Sequence, residues 1–501
     1  LRKEPTPYKE RLIFNRYFYT FLPAQLHKHT NQLYLQNMDL PQDFRETLKT
    51  LLPDQVNDIT GAMGRPPSYS IRINPKKWPI QKPELESVPW CPDAFYLKER
   101  PLFTMDPYFH AGAFYPQEAS SMFLSHIIKQ LKIADSPITA LDLCAAPGGK
   151  TTLLSDALHS DSVLLANEVI KPRANILAEN VVKWGRENVI VTQNDPSKLG
   201  GLQHIFDLIV VDAPCSGEGM FRKDPESIAE WSTDNVNLCS ARQRRILSDI
   251  WPALAPGGHL IYSTCTYNQA ENEENIQWLM DQQDAGYVEI IIPKEWQIET
   301  FDNYPYPMYR FFPHLIKGEG FSIGIVRKKD GKKDPLKIQS KKTLLYQASA
   351  TQKAMAEEWI ETSSPYFFLH NNTLKVIPEK ARSLLDYLYR NYNVVLGGFE
   401  IAEKGKKDWY PLHGLAMHCM MKKQAFPNIL LNHQEAIEYL SRGNLPNTTQ
   451  RPQGWSLVSF NNIPLGWVKV LPNRLNNYYP KNWRIKMELK PDSEMTLWHE
   501  N

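Results

Sequence analysis

Ile138-Thr-Ala-Leu-Asp-Leu-Cys-Ala-Ala-Pro-Gly-Gly-Lys-Thr-Thr152 is the stretch whose reading decides the fold. Apolar residues lead into it and a helix-like pattern leads out. Between them lies a turn of small residues with Pro147, Gly148 and Gly149. Strand, tight loop and helix N-terminus, in that order, are where an open α/β sheet receives a nucleotide-like ligand. A phosphate-binding P-loop needs G-x-x-x-x-G-K-[ST]. Gly149-Lys150-Thr151 supplies the end of that pattern, but its first glycine would fall at Cys144. The G-x-G-x-x-G dinucleotide fingerprint is also absent. S-adenosylmethionine carries no phosphate and needs only close backbone approach. Asp142 suits its ammonium or hydroxyls and would repel a triphosphate. An ordinary βα turn is the plainer alternative.

Downstream, helical and strand patterns alternate, which predicts a parallel sheet with crossover helices. Thr151 to about Leu158 reads as a helix, Ser162–Glu168 as a strand, and Pro172–Trp184 as a helix with Pro in its first turn. Val189–Thr192, Asp207–Asp212 and His259–Thr264 read as strands, and Val236–Leu254 as a long helix carrying Arg242, Arg244 and Arg245. Upstream, Leu40–Leu52 reads as a helix and Ser68–Asn74 as a strand. A further helix is expected to open at Tyr115–Met122 and run to about Leu131.

Asp142, Glu168, Asp195 and Asp212 stand at or just past four strand ends. A single acid there is usually a cap or a loop residue. Four at one edge are informative, because ligands bind at the carboxyl ends of parallel strands. Glu168 lies about twenty residues past the glycine loop, where an acid commonly holds a ribose diol. Asp195 is placed to accept from an adenine amino group.

Cys215, in Val211-Asp-Ala-Pro-Cys-Ser-Gly217, and Cys265, in Tyr262-Ser-Thr-Cys-Thr-Tyr267, each follow a strand end. A lone intracellular cysteine is usually a small buried hydrophobe. A pair beside a methyl-donor site points to covalent catalysis on cytosine. Thiolate addition at C6 turns C5 into a nucleophile, after which the C5 proton and the thiolate leave. Asp212 can bond the N3/N4 edge of the base. This chemistry does not order the two cysteines.

Taken together, Leu141–Thr152 and the two cysteine motifs resemble those of the Nop/Sun family of RNA (cytosine-5)-methyltransferases. Arg173 with Asn180, Ala255-Pro-Gly-Gly258, Asn272-Glu-Glu-Asn275 and Arg310-Phe-Phe-Pro-His314 match in order. The resemblance spans about residues 40–327. It implies that Cys265 is the nucleophile and that Cys215 assists product release, with Lys150 near the reacting base. It also implies a cofactor site lined by Cys144, Ala145, Ala146, Pro147, Gly148, Gly149, Lys150, Glu168, Arg173, Asp195 and Asp212. The tail resembles the PUA-like domain of the bacterial RsmF-type branch, around Gly466-Trp467 and Asn476–Arg484. Members of that branch modify small-subunit ribosomal RNA.

Composition bounds the rest. At 501 residues and net charge +2, the chain should hold several domains, and any nucleic-acid footprint must be local. No run of about 18 apolar residues suggests a membrane span. Six scattered cysteines without a C-x-x-C pair disfavour a metal site or disulfides and suit a reducing cytoplasm. Residues 1–37, aromatic and basic without period, read as upstream translation or a disordered extension before the patterned segment from Met38.

The expected architecture is therefore α/β. Residues 38–115 form an N-terminal α+β RNA-binding subdomain. Residues 116–327 form a Rossmann-like S-adenosylmethionine-dependent methyltransferase domain, and 328–344 a basic linker. Residues 345–428 form a small α+β module, and 429–501 a PUA-like β-rich RNA-binding module with a hairpin around Asn461-Asn462. Arg72, Arg222, Lys223, Trp467, Lys469, Arg474, Lys481 and Arg484 are the expected RNA contacts; a solvated face is the alternative for each charge. The expected function is methylation of small-subunit (16S) rRNA to 5-methylcytidine through a Cys–C6 adduct, without metal or membrane. A tRNA target, a non-catalytic ribosome-assembly factor and a P-loop NTPase are the rivals.

Overall fold

The computed structural model describes residues 40–78, 83–301, 303–332, 343–406, 408–445 and 451–487. The readings for residues 1–37 and for most of the linker lie outside them. Helices Gln42–Leu51 and Val56–Met63 lead into a three-stranded antiparallel sheet, β1 (Tyr69–Ile73), β2 (Ala94–Leu97) and β3 (Phe114–Pro116), in the order β2-β1-β3. Strand β3 corrects the expected helix start at Tyr115. Tyr115 pairs with Arg72 across the sheet, and helix resumes only at Ser120–Phe123 and Leu124–Leu131.

The central sheet follows: β4 (Thr139–Asp142), β5 (Val163–Asn167), β6 (Val189–Thr192), β7 (Phe206–Asp212), β8 (Leu254–Thr264), β9 (Ala285–Tyr287), β10 (Tyr309–Phe311) and β11 (Phe321–Lys328). Its crossovers include the helices Gly149–Ala157, Lys171–Trp184 and Thr233–Ile250. The last of these stops short of the expected Leu254: Pro252 lies in a 3-10 turn, Trp251–Ala253, and Leu254 already begins β8.

Beyond residue 343 the chain forms β12 (Tyr346–Gln347), β13 (Pro365–His370), β14 (Thr373–Pro378) and the helix Arg382–Asn391. Strand β15 (Val394–Leu396) then returns to the central sheet, antiparallel to β6, with Val394 opposite Thr192. The central order is β10-β11-β8-β7-β4-β5-β6-β15, with β9 beside β11 and the five strands β4–β8 parallel. Strands β16 (Phe399–Lys404) and β17 (Trp409–Pro411) complete a second sheet, β12-β13-β14-β16-β17. Leu345, Tyr366, Phe368, Leu384 and Leu388 share one core with Leu165, Ile190 and Ile209 of the central sheet.

The last sheet is β18 (Asn428–Leu431), β19 (Gly454–Phe460), β20 (Ile463–Leu471) and β21 (Arg474–Asn477). The β19–β20 hairpin turns at Asn461 and Asn462, with φ of 43° and 60°, the left-handed region that asparagine tolerates. This sheet folds back on the first one. Ile71, Ile73, Phe95 and Phe114 share a core with Val458, Phe460, Val468 and Tyr479.

Three expected RNA contacts are buried. Arg72 lies on the central strand of the first sheet, not at an edge, and is 3% exposed. Its guanidinium donates to Gln117 and Thr152, pairs with Asp156 and covers the Trp184 ring. Arg222 pairs at 2.8 Å with buried Glu319 and donates to the Gly318 carbonyl. Trp467 is 1% exposed, donates to the Leu412 carbonyl at 2.9 Å and meets the edge of Phe426. Strand alternation turns it inward against the β12–β17 module. Trp467→Ala should therefore destabilise the fold by about 3–5 kcal/mol, the usual cost of emptying a buried aromatic site. Urea denaturation checks this; an unchanged midpoint would place Trp467 at the surface.

Candidate active site

The site is built at the carboxyl ends of β4, β5, β7 and β8. After β4 the chain turns through Leu143–Gly148 into the helix Gly149–Ala157. Gly148 has φ +117°, and an added Cβ would lie 3.2 Å from Leu177, so the turn needs glycine. Side chains of the next crossover helix hold the loop's carbonyls: Arg173 donates to Ala146 at 2.9 Å and Asn180 to Pro147 at 2.8 Å. Arg173 also pairs with Glu168 at 3.4 Å. The glycine loop is thus fixed from behind, and its open side faces the strand ends.

Acids crowd that side. Glu168, Asp212 and Asp142 all raise the Cys144 thiol pKa, after burial, the largest cause. Asp142 is fully buried; its Oδ2 accepts from Thr151 at 2.7 Å, while its Oδ1 is buried with no partner. Burial pushes its carboxyl up to about 7, against the Thr151 hydrogen bond. Glu168 Oε1 accepts from the Ile170 amide. Asp195 is exposed and caps the turn Pro196–Leu199; hydrogen bonds from the Ser197 hydroxyl and amide hold its carboxyl below the usual range. Such a pocket suits a cation and opposes a polyphosphate.

The cysteines converge as expected. Asp212 and Ser263 are paired residues on neighbouring parallel strands, so the loops after them run side by side. The Cys215 and Cys265 sulfurs lie 2.9 Å apart, and the Cys265 amide donates to the Cys215 sulfur. The hydrogen bond with Cys265, then burial, pushes the Cys215 thiol well up. Held as a thiol, Cys215 can donate to the Cys265 sulfur. Lys150 pairs with Asp212 at 2.8 Å and sits over the Phe321 ring, and Ser263 donates to the other Asp212 oxygen.

Two buried carboxylates that the sequence reading did not single out fasten these loops. Glu218 Oε2 accepts from the Tyr267 and Asn268 amides. Its Oε1 accepts from Trp231 and the Asn268 side chain. Glu271 accepts from the Ser216 amide, Gln243 and Asn268. The Gly219 amide donates to the Cys265 carbonyl. Behind them, fully buried Arg310 pairs with Glu273 and donates to the Tyr267 carbonyl. The Asn272–Asn275 and Arg310–His314 stretches signalled that last pair. Glu218 had only its place just after the Pro-Cys motif.

The remaining expected RNA contacts lie elsewhere. Lys223 reaches Glu319 at 3.7 Å with its side chain a quarter exposed. Lys469 lies over the Tyr410 and Trp455 rings. Arg474, Lys481 and Arg484 are exposed. Among the described residues no cluster of His, Cys, Asp and Glu could hold a metal, and no helix is long and apolar enough to cross a membrane.

Comparison with known proteins yields three family matches. Residues 130–327 match the 16S rRNA methyltransferase RsmB/F family, residues 40–119 the N-terminal domain of 16S rRNA methyltransferase RsmF, and residues 426–485 the methyltransferase RsmF PUA domain. Ribosomal RNA small subunit methyltransferase F of Aliivibrio salmonicida is 30% identical over 89% of this chain and 98% of its own. That of Cronobacter sakazakii is 29% identical over 88% and 96%. The crystal structure of a methyltransferase homolog protein from Pyrococcus horikoshii, 28% identical, superposes with a TM-score of 0.50 over 60% of this chain and 99% of that one. With the Rossmann-like sheet, the glycine loop and the C-terminal β module all in register with these matches, the chain belongs to the ribosomal RNA small subunit methyltransferase F family of S-adenosylmethionine-dependent methyltransferases.

Proposed function

We propose that this protein methylates carbon 5 of a cytidine in small-subunit (16S) ribosomal RNA, in the cytoplasm, on naked RNA or an assembled small subunit. The observation that carries the reading is the cysteine pair, two sulfurs 2.9 Å apart at adjoining strand ends beside an acid-lined glycine loop. Membership of a family of small-subunit ribosomal RNA methyltransferases supports ribosomal RNA as the substrate.

S-adenosylmethionine, when bound, supplies the methyl group. The residues fit it: the orphaned Asp142 Oδ1 and the Glu168 carboxylate suit its ammonium and ribose hydroxyls, with Asp195 at the adenine end. The Cys144–Gly149 backbone, held by Arg173 and Asn180, gives close approach. Cys265 adds to C6 of the target base, which must be flipped or already unstacked to reach it. Asp212, oriented by Lys150 and Ser263, bonds the N3/N4 edge of the base and takes up the charge change there. In release a base takes the C5 proton, the C5–H electron pair restores the C5–C6 double bond, and the Cys265–C6 bond breaks with its electrons returning to sulfur; Cys215, beside that sulfur, serves this step.

Two measurements test the roles. Cys265→Ala should abolish 5-methylcytidine formation while donor binding persists; turnover at the native rate would remove Cys265 as nucleophile. Cys215→Ala should accumulate a protein–RNA adduct on denaturing gels; free product at the normal rate without adduct would rule out the release role. Labelled-methyl transfer to 16S rRNA, assembled small subunits and tRNA, followed by nucleoside mass analysis, tests the substrate; label in tRNA alone would overturn the ribosomal assignment.

Donor binding should also depend on pH with a stated sign. Asp142 is protonated below about pH 7, and a cation bound beside it favours the ionised form, so binding expels that proton. Affinity should rise from pH 6 towards 7.5 and should lose that rise in Asp142→Asn. Calorimetry checks both; a rise retained in the variant would assign it to another group.

A further inference from the structure

The outward half of the β19–β21 face has a composition that its neighbours leave uncovered. Trp455, Lys469 and Asn476 stand opposite one another across β19, β20 and β21. Alternation along β21 puts Arg474 beside Asn476 on the same face, and Tyr478, just past the strand, meets the Trp455 ring there, while Leu475 and Tyr479 enter the core. Lower on that face, Leu457 and Trp467 are buried against the β12–β17 module. That module also contributes Tyr410 at its border. Tyr410 and Tyr478 are 37% and 47% exposed, and their ring centroids lie 6.1 and 4.5 Å from that of Trp455. The Lys469 ammonium sits 5.6 and 5.7 Å from the Trp455 and Tyr410 ring centroids; no carboxylate pairs with it among the described residues. Glu403, opposite Tyr410 on the β16–β17 hairpin, marks the acidic border of the patch.

The charge around it is one-sided. Residues 439–487 contain no Asp or Glu and seven basic residues, Arg442, Arg451, Lys469, Arg474, Lys481, Arg484 and Lys486. In a chain of net charge +2 this concentrates positive charge in the C-terminal module, with Lys469 and Arg474 on its sheet. Exposed rings next to cations that have no carboxylate partner among the described residues, with acid only at the Glu403 border, match what unpaired nucleotides need, a stacking platform with charge for the backbone.

We infer that Tyr410, Trp455 and Tyr478 form a stacking platform for unpaired bases of the RNA substrate, with Lys469 and Arg474 on the adjoining phosphates and the Asn476 amide on a base edge. This surface lies in part on the module before the last sheet, so it is a composite of two modules. It binds single-stranded RNA flanking the target, and it rests on the reading of the protein as an RNA methyltransferase.

The test uses the full chain and a fluorescein-labelled oligouridine followed by anisotropy across a salt series. Tyr410→Ala with Tyr478→Ala should weaken binding about thirtyfold or more at unchanged salt slope, the loss of two stacked bases. Tyr410→Phe with Tyr478→Phe should bind as the native protein does, because stacking uses the ring. Lys469→Ala with Arg474→Ala should flatten the slope of log affinity against log salt by about 1.4, the loss of two single-strand phosphate contacts. Native affinity and slope in alanine variants that melt at the native temperature would overturn the platform. So would an acidic peptide that binds equally tightly with the same dependence on the two tyrosines. If the native protein methylates rRNA while the variants bind oligouridine normally, the platform alone falls. If it labels no RNA, the enzymatic reading falls, and the variants' affinity for oligouridine still decides the platform.

Discussion

The meeting of the Cys215 and Cys265 loops depends on two carboxylates sealed beneath them. The Cys215 and Cys265 loops hang from neighbouring strands, and strand pairing ends before either cysteine. Glu218 and Glu271 continue that alignment by other means, accepting amides and side chains from both loops. A carboxylate with several donors spans a gap that a neutral residue leaves as unpaired backbone. Glu271 takes this position although burial raises its pKa. The arrangement lets two sulfurs meet at 2.9 Å without any strand carrying them there.

The same economy governs how the modules associate. The first and last sheets share one apolar core, and polar groups tie them to each other and the first of them to the central domain. Asn74 donates to the Gly112 and Trp184 carbonyls, and Asn461 donates to the Tyr108 hydroxyl. Arg72 links the first sheet to the helix that follows the glycine loop through Thr152 and Asp156. Residues that read as nucleic-acid contacts in sequence are in part mortar between units, because guanidinium and indole groups serve both uses.

What was legible in the sequence was local. The glycine loop, the acids at strand ends and the two cysteines sit on elements whose periodicity and turn chemistry mark them directly. The same holds for the Asn461-Asn462 hairpin. What was not legible needed a partner remote in sequence. Nothing in Ser68–Asn74 tells which face of the strand meets another unit, so Arg72 read as exposed. Trp467 sits in a good strand pattern, yet its burial is decided by Leu412 and Phe426. The strand at Tyr115 forms only because β1 is there to pair with it. Glu218 and Glu271 have ordinary surroundings in sequence and acquire their role from loops 50 residues apart.

Strand β15 carries a consequence for the integrity of the catalytic sheet. β6 would otherwise be its outermost strand on that side, with a row of open amides and carbonyls and apolar Val189–Val191 behind them. Such a border recruits other chains. Here three residues from beyond the linker pair with its Val191–Thr192 end, with Asn393 exchanging hydrogen bonds with Gln193 and Asn194 alongside. The module after the linker thus covers part of a margin that would otherwise lie open to neighbouring molecules.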